Sequence, residues 1–116
     1  MQTNDIRKTW LYNHRHKHLS LDDIYHISDT YYGDAKLFHL FDMEPDVFYK
    51  KGIRILGRTA IECCIDAQAS EIAKNAHDIY YTLFSHPPIV IDLFTGSGNL
   101  LYHISKTLKA QQVLNS

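Results

Sequence analysis

The residues whose types and spacing most clearly indicate ligand binding form a glycine-containing turn between an apolar segment and an amphipathic segment. The turn spans residues 95–99 (Thr-Gly-Ser-Gly-Asn), follows the β-branched run Ile89–Phe94, and is succeeded by helical spacing from Leu100. Strand, glycine turn and helix in this order bind nucleotides in many α/β proteins, because glycine lets the backbone approach a ligand and the helix start offers free N–H groups. The spacing lacks the lysine of a P-loop, and Leu101 stands where a dinucleotide fingerprint has its third glycine.

The end of the apolar run together with the turn, the eight residues from Asp92 to Asn99, resembles motif I of class I S-adenosylmethionine-dependent methyltransferases. The usual family form is D/E-x-G-x-G-x-G at the end of the first strand. Here Phe94 replaces the first glycine, giving D-x-F-x-G-x-G. That variant is familiar among methyltransferases that act on RNA or DNA. The resemblance therefore implies a Rossmann-like fold, S-adenosyl-L-methionine as cofactor and methyl transfer to nucleic acid, with RNA favoured.

The resemblance also implies a cofactor-binding role for each residue of the motif. Gly96 and Gly98 would let the turn wrap the methionine part of the cofactor, and Asp92 would lie near its amino group, directly or through water. Polar groups would line the approach. The implied cofactor-binding set is Asp92, Phe94, Thr95, Gly96, Ser97, Gly98 and Asn99. Two interpretations without a ligand stay open: a plain tight turn between strand and helix, and an Asp92 that caps backbone N–H groups of the turn.

Two parts of the family pattern have no counterpart in this sequence. One is the acidic residue that ends the second strand and holds the ribose, and the other is the catalytic segment N/D-P-P-Y/F/W. The stretch His86-Pro87-Pro88-Ile89 lacks both the leading acid or amide and the aromatic residue. We therefore expect no catalytic residue, and we expect the chain to be the N-terminal part of a truncated methyltransferase that is inactive by itself. The alternative is a non-enzymatic helical interaction module or an inactive remnant.

Helical signals dominate the region before the turn. A capping pair, Ser20 with Asp23, predicts a helix that ends near Gly33, and Pro45 predicts a short helix that stops at Gly52. A first helical block is predicted from Asn4 to His18. The pair Thr59 and Glu62 matches a capping box, so one continuous helix is predicted from Thr59 to the prolines after His86.

The spacing of apolar residues in that long helix predicts one packing stripe. Its members are Ile61, Ile65, Ala69, Ile72, Ala76, Ile79 and Leu83. Cys63 and Cys64 are expected to pack on the same helix. Residues 89–94 have the composition of a strand covered on both faces, a second helix is predicted from Asn99 to about Lys109, and residues 111–114 look like the opening of another strand.

Composition favours a single cytoplasmic globular domain without a membrane span. The chain has 116 residues, 45% of them hydrophobic, and a formal net charge of −1. Its two cysteines are adjacent, a poor framework for a disulfide, and its start lacks the apolar core of a secretory signal. These features exclude disordered, collagen-like and transmembrane classes.

Charge is distributed unevenly along the chain. Residues 1–19 carry four Lys or Arg side chains against one acid, and residues 20–49 carry seven acids against Lys36 alone. The basic N-terminal segment either docks on the acidic layer or contacts an RNA backbone through residues 14–18, His-Arg-His-Lys-His. His14 and His18 have the i, i+4 spacing of a helical metal pair, but without a nearby carboxylate or thiol partner we predict no metal site.

The predicted fold class is α/β: a mostly helical N-terminal region over residues 1–57, then residues 58–116 with one helix and the first βα unit of a Rossmann-like methyltransferase fold. The sheet is expected to be incomplete. No segment obviously pairs with the edges of the strand at residues 89–94, since the short run Ile53–Leu56 is the only other clear candidate. An apolar strand with open edges predicts self-association through residues 89–94.

Overall fold

Over the residues that the structure describes, the chain adopts a mixed α/β fold in which six helices accompany one small parallel sheet. The computed structural model describes residues 3–93 and 96–115, and the chain forms two compact units, Met1–Cys63 and Cys64–Ser116. Within the described residues, no helix combines the length and apolar character needed to cross a bilayer.

The described part of the first unit contains four helices: α1 (Thr3–His14), α2 (Leu21–Tyr32), α3 (Pro45–Lys50) and α4 (Gly57–Glu62). Apolar side chains from the helices and their connections are buried together. The largest fully buried ones are Leu19, Ile24, Ile27, Phe38, Leu40 and Phe48. Buried Ser28 holds the segment that follows α2 in place. Its hydroxyl donates to the Asp34 carbonyl and accepts a hydrogen bond from the N–H of Phe38.

The predicted capping of α2 is confirmed. The N–H of Asp23 donates to Ser20 Oγ at 3.1 Å, and the N–H of Ser20 donates to the Asp23 carboxylate, also at 3.1 Å. Burial alone would raise the pKa of Asp23, but the hydrogen bonds from Ser20 and the nearby Lys17 ammonium bring this pKa below its usual value. Gly33 ends the helix with a φ of +90°, as the glycine stop signal predicts.

The start of α3 is also confirmed, with Pro45 in its first turn and Gly52 at a φ of +90° after its end. Helix α1 is shorter than predicted. It ends at His14, and residues 15–18 form a turn that joins an extended segment.

The second unit contains α5 (Asp66–Leu83), β1 (Ile89–Asp92), α6 (Asn99–Leu108) and β2 (Gln112–Asn115). The two strands are parallel, with Ile89 opposite Gln112 and Asp92 opposite Asn115. Both the helix after the glycine turn and the strand opening near residue 111 are confirmed. One edge of β1 is therefore paired, which corrects the expectation that no segment obviously pairs with it.

The single long helix predicted from Thr59 is wrong, because the chain breaks at residues 63–65 into α4 and α5. In a continuous helix, the Cys64 carbonyl would accept from the N–H of Gln68. Instead, the N–H of Gln68 donates to Ile65 O, and Cys64 O accepts from the side-chain amide of Asn99 at 2.8 Å. The two cysteines therefore lie in the break rather than on a helix.

The predicted capping box of that helix is absent as well. Helix α4 begins at Gly57, two residues before Thr59, and its N-cap residue, Leu56, makes no side-chain cap hydrogen bond. Helix α5 then starts anew at Asp66 after Ile65. Thr59 thus lies inside a helix rather than at its start, where its hydroxyl could have capped free N–H groups.

The predicted packing stripe is correct only at its beginning. Ile61, Ile65 and Ala69 are buried, whereas Ile72, Ile79 and Leu83 are exposed. The second buried residue within α5 is Ala73, so the packed face is made of small side chains that let a neighbouring helix approach closely. Apolar periodicity alone does not reveal which side of a helix has a neighbour.

The strand β1 is covered on one face only, which corrects the prediction of two covered faces. Its residues alternate between exposed and half-buried, with Ile89 and Ile91 exposed and Val90 and Asp92 half-buried. Leu114 of β2, opposite Ile91, is exposed too. Because paired residues of neighbouring parallel strands point the same way, these side chains form one apolar sheet face: Ile89, Ile91 and Leu114.

Candidate functional site

The glycine turn joins the carboxyl end of β1 to the start of α6. Asp92 is the last residue of β1 and is half-buried. Gly96 has a φ of +58° and Gly98 a φ of +84°, conformations that residues with a Cβ rarely adopt. Gly98 is the N-cap residue of α6. Phe94 and Thr95 of the predicted set lie outside the described residues.

The outer side of the turn is open around Gly96. A Cβ placed on Gly96 would meet no atom within 4 Å, so glycine is required there by backbone conformation rather than by packing. Ser97 supports the turn from inside, because its hydroxyl accepts a hydrogen bond from the N–H of Asn99 at 3.2 Å. The open side is compatible with a ligand placed against the backbone.

Asn99, the first residue of α6, is fully buried and does more than follow the turn. Its amide Nδ2 donates to the Cys64 carbonyl at 2.8 Å and to Asp66 Oδ1 at 3.1 Å. The side chain therefore ties the start of α6 to the start of α5. This structural role is additional to the cofactor contact that the motif implies, and the contact stays a prediction.

Asp66 also accepts a hydrogen bond from a buried histidine. His103 Nε2 lies 2.7 Å from Asp66 Oδ1, and His103 is 1% exposed. Because an ionised carboxylate only accepts, the proton of this bond belongs to Nε2 of the imidazole. We call Asp66, Asn99 and His103 the anchor cluster. These residues hold the start of α6, into which the glycine turn leads.

Sequence reasoning missed the anchor cluster. The available signal was the pair Asn99 and His103, which are four residues apart and therefore lie on one face of the helix. Leu108 and Leu101 are buried in the same helix. Two polar side chains on the buried face of a helix need hydrogen-bond acceptors there, and Asp66 is that acceptor for both.

The second end of α6 is also fastened to α5. Tyr81 Oη donates to the Leu108 carbonyl at 2.7 Å, while Asp66 holds the first turn. The two helices therefore run side by side in the same direction, with Ala69 and Ala73 buried on α5. This pairing gives the turn a rigid base, which a ligand site requires.

The basic N-terminal segment has a different geometry from the one that the histidine spacing suggests. The His14 ring stacks on Trp10 with centroids 4.4 Å apart, and its Nδ1 donates to the Trp10 carbonyl at 3.0 Å. His18 lies beyond the helix end, in a bridge with Leu56. His14 and His18 thus lack helical i, i+4 geometry. Lys17 pairs with Asp23 at 3.4 Å, one contact between the basic and acidic segments.

A separate cleft of about 520 Å³ lies in the first unit between α2 and the start of α3. Tyr25 Oη donates to Asp46 at 2.9 Å there, and burial together with this carboxylate raises the pKa of Tyr25. Lys36 and His39 line the same cleft as Glu44. The charged side chains that line this cleft are of both signs.

Comparison with known proteins adds no relative to this description. No family model, no curated protein and no solved structure matches the chain.

Proposed function

We propose that the second unit carries the cofactor-binding βαβ segment of a class I S-adenosylmethionine-dependent methyltransferase, and that the intact enzyme acts on RNA. The observation that carries the proposal is the conformation of the turn after β1. Gly96 and Gly98 both take positive φ values, and Gly98 caps the start of α6. A sequence of the form D-x-F-x-G-x-G thus coincides with a backbone in which two glycines of positive φ lead directly into the start of a helix.

The surroundings of the turn support the same proposal. In open α/β sheets, ligands bind beyond the carboxyl ends of the parallel strands, and Asp92 stands at that end of β1. The next strand, β2, pairs with β1 in parallel after the helix, which is the arrangement of a βαβ unit. Asp92 would orient the amino group of the cofactor, while the backbone of residues 96–98 would wrap its methionine part.

The test is a titration of the ¹⁵N-labelled chain with S-adenosylmethionine, followed by NMR. We expect amide shifts confined to Asp92 and residues 96–99, with weak binding and a dissociation constant on the order of 1 mM or above. Gly98→Ala should abolish the shifts. Gly33→Ala, at a similarly positive φ in the first unit, imposes comparable backbone strain and should leave them unchanged.

Absence of shifts in the motif at millimolar cofactor, or equal loss in both glycine variants, would refute the proposal. A second measurement addresses catalysis. Since the motif residues are predicted to bind the cofactor rather than to orient or deprotonate an acceptor, the 116-residue chain should show no methyl transfer from labelled cofactor to total RNA. Turnover that depends on Gly96 would contradict this expectation.

A further inference from the structure

The turn after α1 and the start of α4 bring basic residues from two parts of the chain to one place. The N–H of Gly57 donates to the Lys17 carbonyl at 3.0 Å, and the N–H of Arg58 donates to the Arg15 carbonyl at 3.4 Å. The bridge between His18 and Leu56 continues this pairing. The side chains of Arg15 and Arg58 are therefore attached to backbone segments that are hydrogen-bonded to each other.

The pairing is close because Gly57 has no side chain. A Cβ at this position would overlap the carbonyl group of His14, so the backbone of the α4 start lies directly on the end of α1. His14 itself is held by its stack on Trp10. The basic residues consequently extend from a fixed backbone rather than from a loose terminus.

Most of the positive charge at this place is uncompensated. Lys17 has Asp23 as a partner at 3.4 Å. Among the side chains that the structure describes, no ion pair involves Arg15 or Arg58, and both are exposed. The backbones of Arg15 and Arg58 contact each other directly, and the planar fork of each guanidinium matches the oxygen atoms of a phosphate.

Planar rings alternate with the cations along the turn. His16 and His18 are exposed and flank Lys17. Proteins that hold single-stranded RNA combine cations for the phosphates with aromatic side chains, histidine included, on which bases stack. A lipid headgroup would use the cations alone.

We propose that Arg15, His16, Lys17, His18 and Arg58, the basic turn surface, bind the phosphodiester backbone of single-stranded RNA. The inference rests on the proposed function, for which this surface would supply the contact to the acceptor. It adds Arg58 to the basic N-terminal segment, which a reading of the linear sequence does not do.

The test measures the binding of a short fluorescent single-stranded RNA by anisotropy over a range of salt concentrations. The variant is the double substitution Arg15→Gln with Arg58→Gln. The matched control is Lys36→Gln with Lys50→Gln, which removes the same charge from exposed side chains of the first unit. Circular dichroism verifies that both variants are folded.

We expect the arginine variant to weaken RNA binding about tenfold and to reduce the slope of log K against log salt by about 1.4, since each lost single-strand phosphate contact contributes about 0.7. The lysine control should keep the parent slope. Equal losses in both variants, no binding by the parent, or tighter binding to anionic phosphatidylserine vesicles than to RNA would each overturn the proposal.

The cofactor titration separates this inference from the proposed function. The arginine variant should retain the shifts at residues 96–99 on addition of S-adenosylmethionine. If the parent binds no cofactor but loses RNA binding in the arginine variant, the basic turn surface stands and the methyltransferase proposal falls. If the parent binds the cofactor and the arginine variant binds RNA as the parent does, the methyltransferase proposal stands and the basic turn surface is refuted.

Discussion

The anchor cluster allows a quantitative prediction for Asp66. Its carboxylate accepts hydrogen bonds from Asn99 Nδ2 at 3.1 Å and from His103 Nε2 at 2.7 Å. Replacing Asp66 by Ala leaves a donor of the nearly inaccessible His103 without an acceptor. An unsatisfied buried donor costs about 1–3 kcal/mol, and Asn99 keeps its bond to Cys64 O. Asp66→Ala should therefore lower the free energy of unfolding by about 3 kcal/mol.

The conservative variant separates the hydrogen bond from the volume of the side chain. Asp66→Asn keeps an amide oxygen that can accept from His103 and loses only the charge assistance, so its cost should be about 1 kcal/mol. Glu71→Ala is the matched control, because Glu71 is an exposed acid on the same helix, and it should remain within about 0.5 kcal/mol of the parent.

Urea unfolding followed by far-UV circular dichroism measures these differences, and amide hydrogen exchange in α6 localises them. We expect exchange at residues 99–103 to accelerate most in Asp66→Ala. The reasoning is refuted if Asp66→Ala is no more destabilising than Glu71→Ala, or if Asn costs as much as Ala. The first result would mean that the buried imidazole finds another acceptor, and the second that shape rather than hydrogen bonding holds the helix.

Three further predictions concern the two units. Ser20→Ala should lower the free energy of unfolding by about 1 kcal/mol, measured in urea against Thr30→Ala, an exposed control on the same helix; a smaller loss than in the control would contradict the capping. The contribution of the ionised Asp23 carboxylate to the free energy of unfolding should be fully present above its unfolded pKa of 3.8. It should disappear as the pH falls through the lower pKa of Asp23 in the folded protein. Gly57→Ala should cost about 2 kcal/mol in the same assay despite the better helix propensity of Ala, because its Cβ meets backbone atoms of α1; a stabilised variant would show that the backbone moves easily. The chain should self-associate through its apolar sheet face, and Ile91→Lys, at a side chain 63% exposed, should yield a folded monomer by light scattering; a parent that stays monomeric at high concentration would rule this out.

The elements that could be predicted from the sequence depend on nearby residues. Ser20 and Asp23 cap α2 by contacts three residues apart, and Gly33 takes the positive φ value expected after a helix. The turn of the candidate site was visible for the same reason, since two glycines around Ser97 specify a local backbone shape.

The features that were missed depend on partners far along the chain. The break at residues 63–65 exists because Asn99 takes the carbonyl of Cys64, and no pattern near residue 64 contains that information. Likewise, Ile72 and Ile79 have the spacing of a packed face, yet Ala73 is the residue that is buried. Periodicity identifies an apolar side of a helix but does not supply its neighbour.

The pairing between the turn after α1 and the start of α4 has a consequence for how the first unit folds. Helix α2 carries its own caps and can form early, whereas the bond from Gly57 to Lys17 closes residues 17–57 into one long loop. Closing a longer loop costs more chain entropy, so this contact should form late and slow the folding of the unit. A polyanion that binds Arg15 and Arg58 together recognises only the closed form, and it would therefore retard the opening of the loop and raise the melting temperature by mass action.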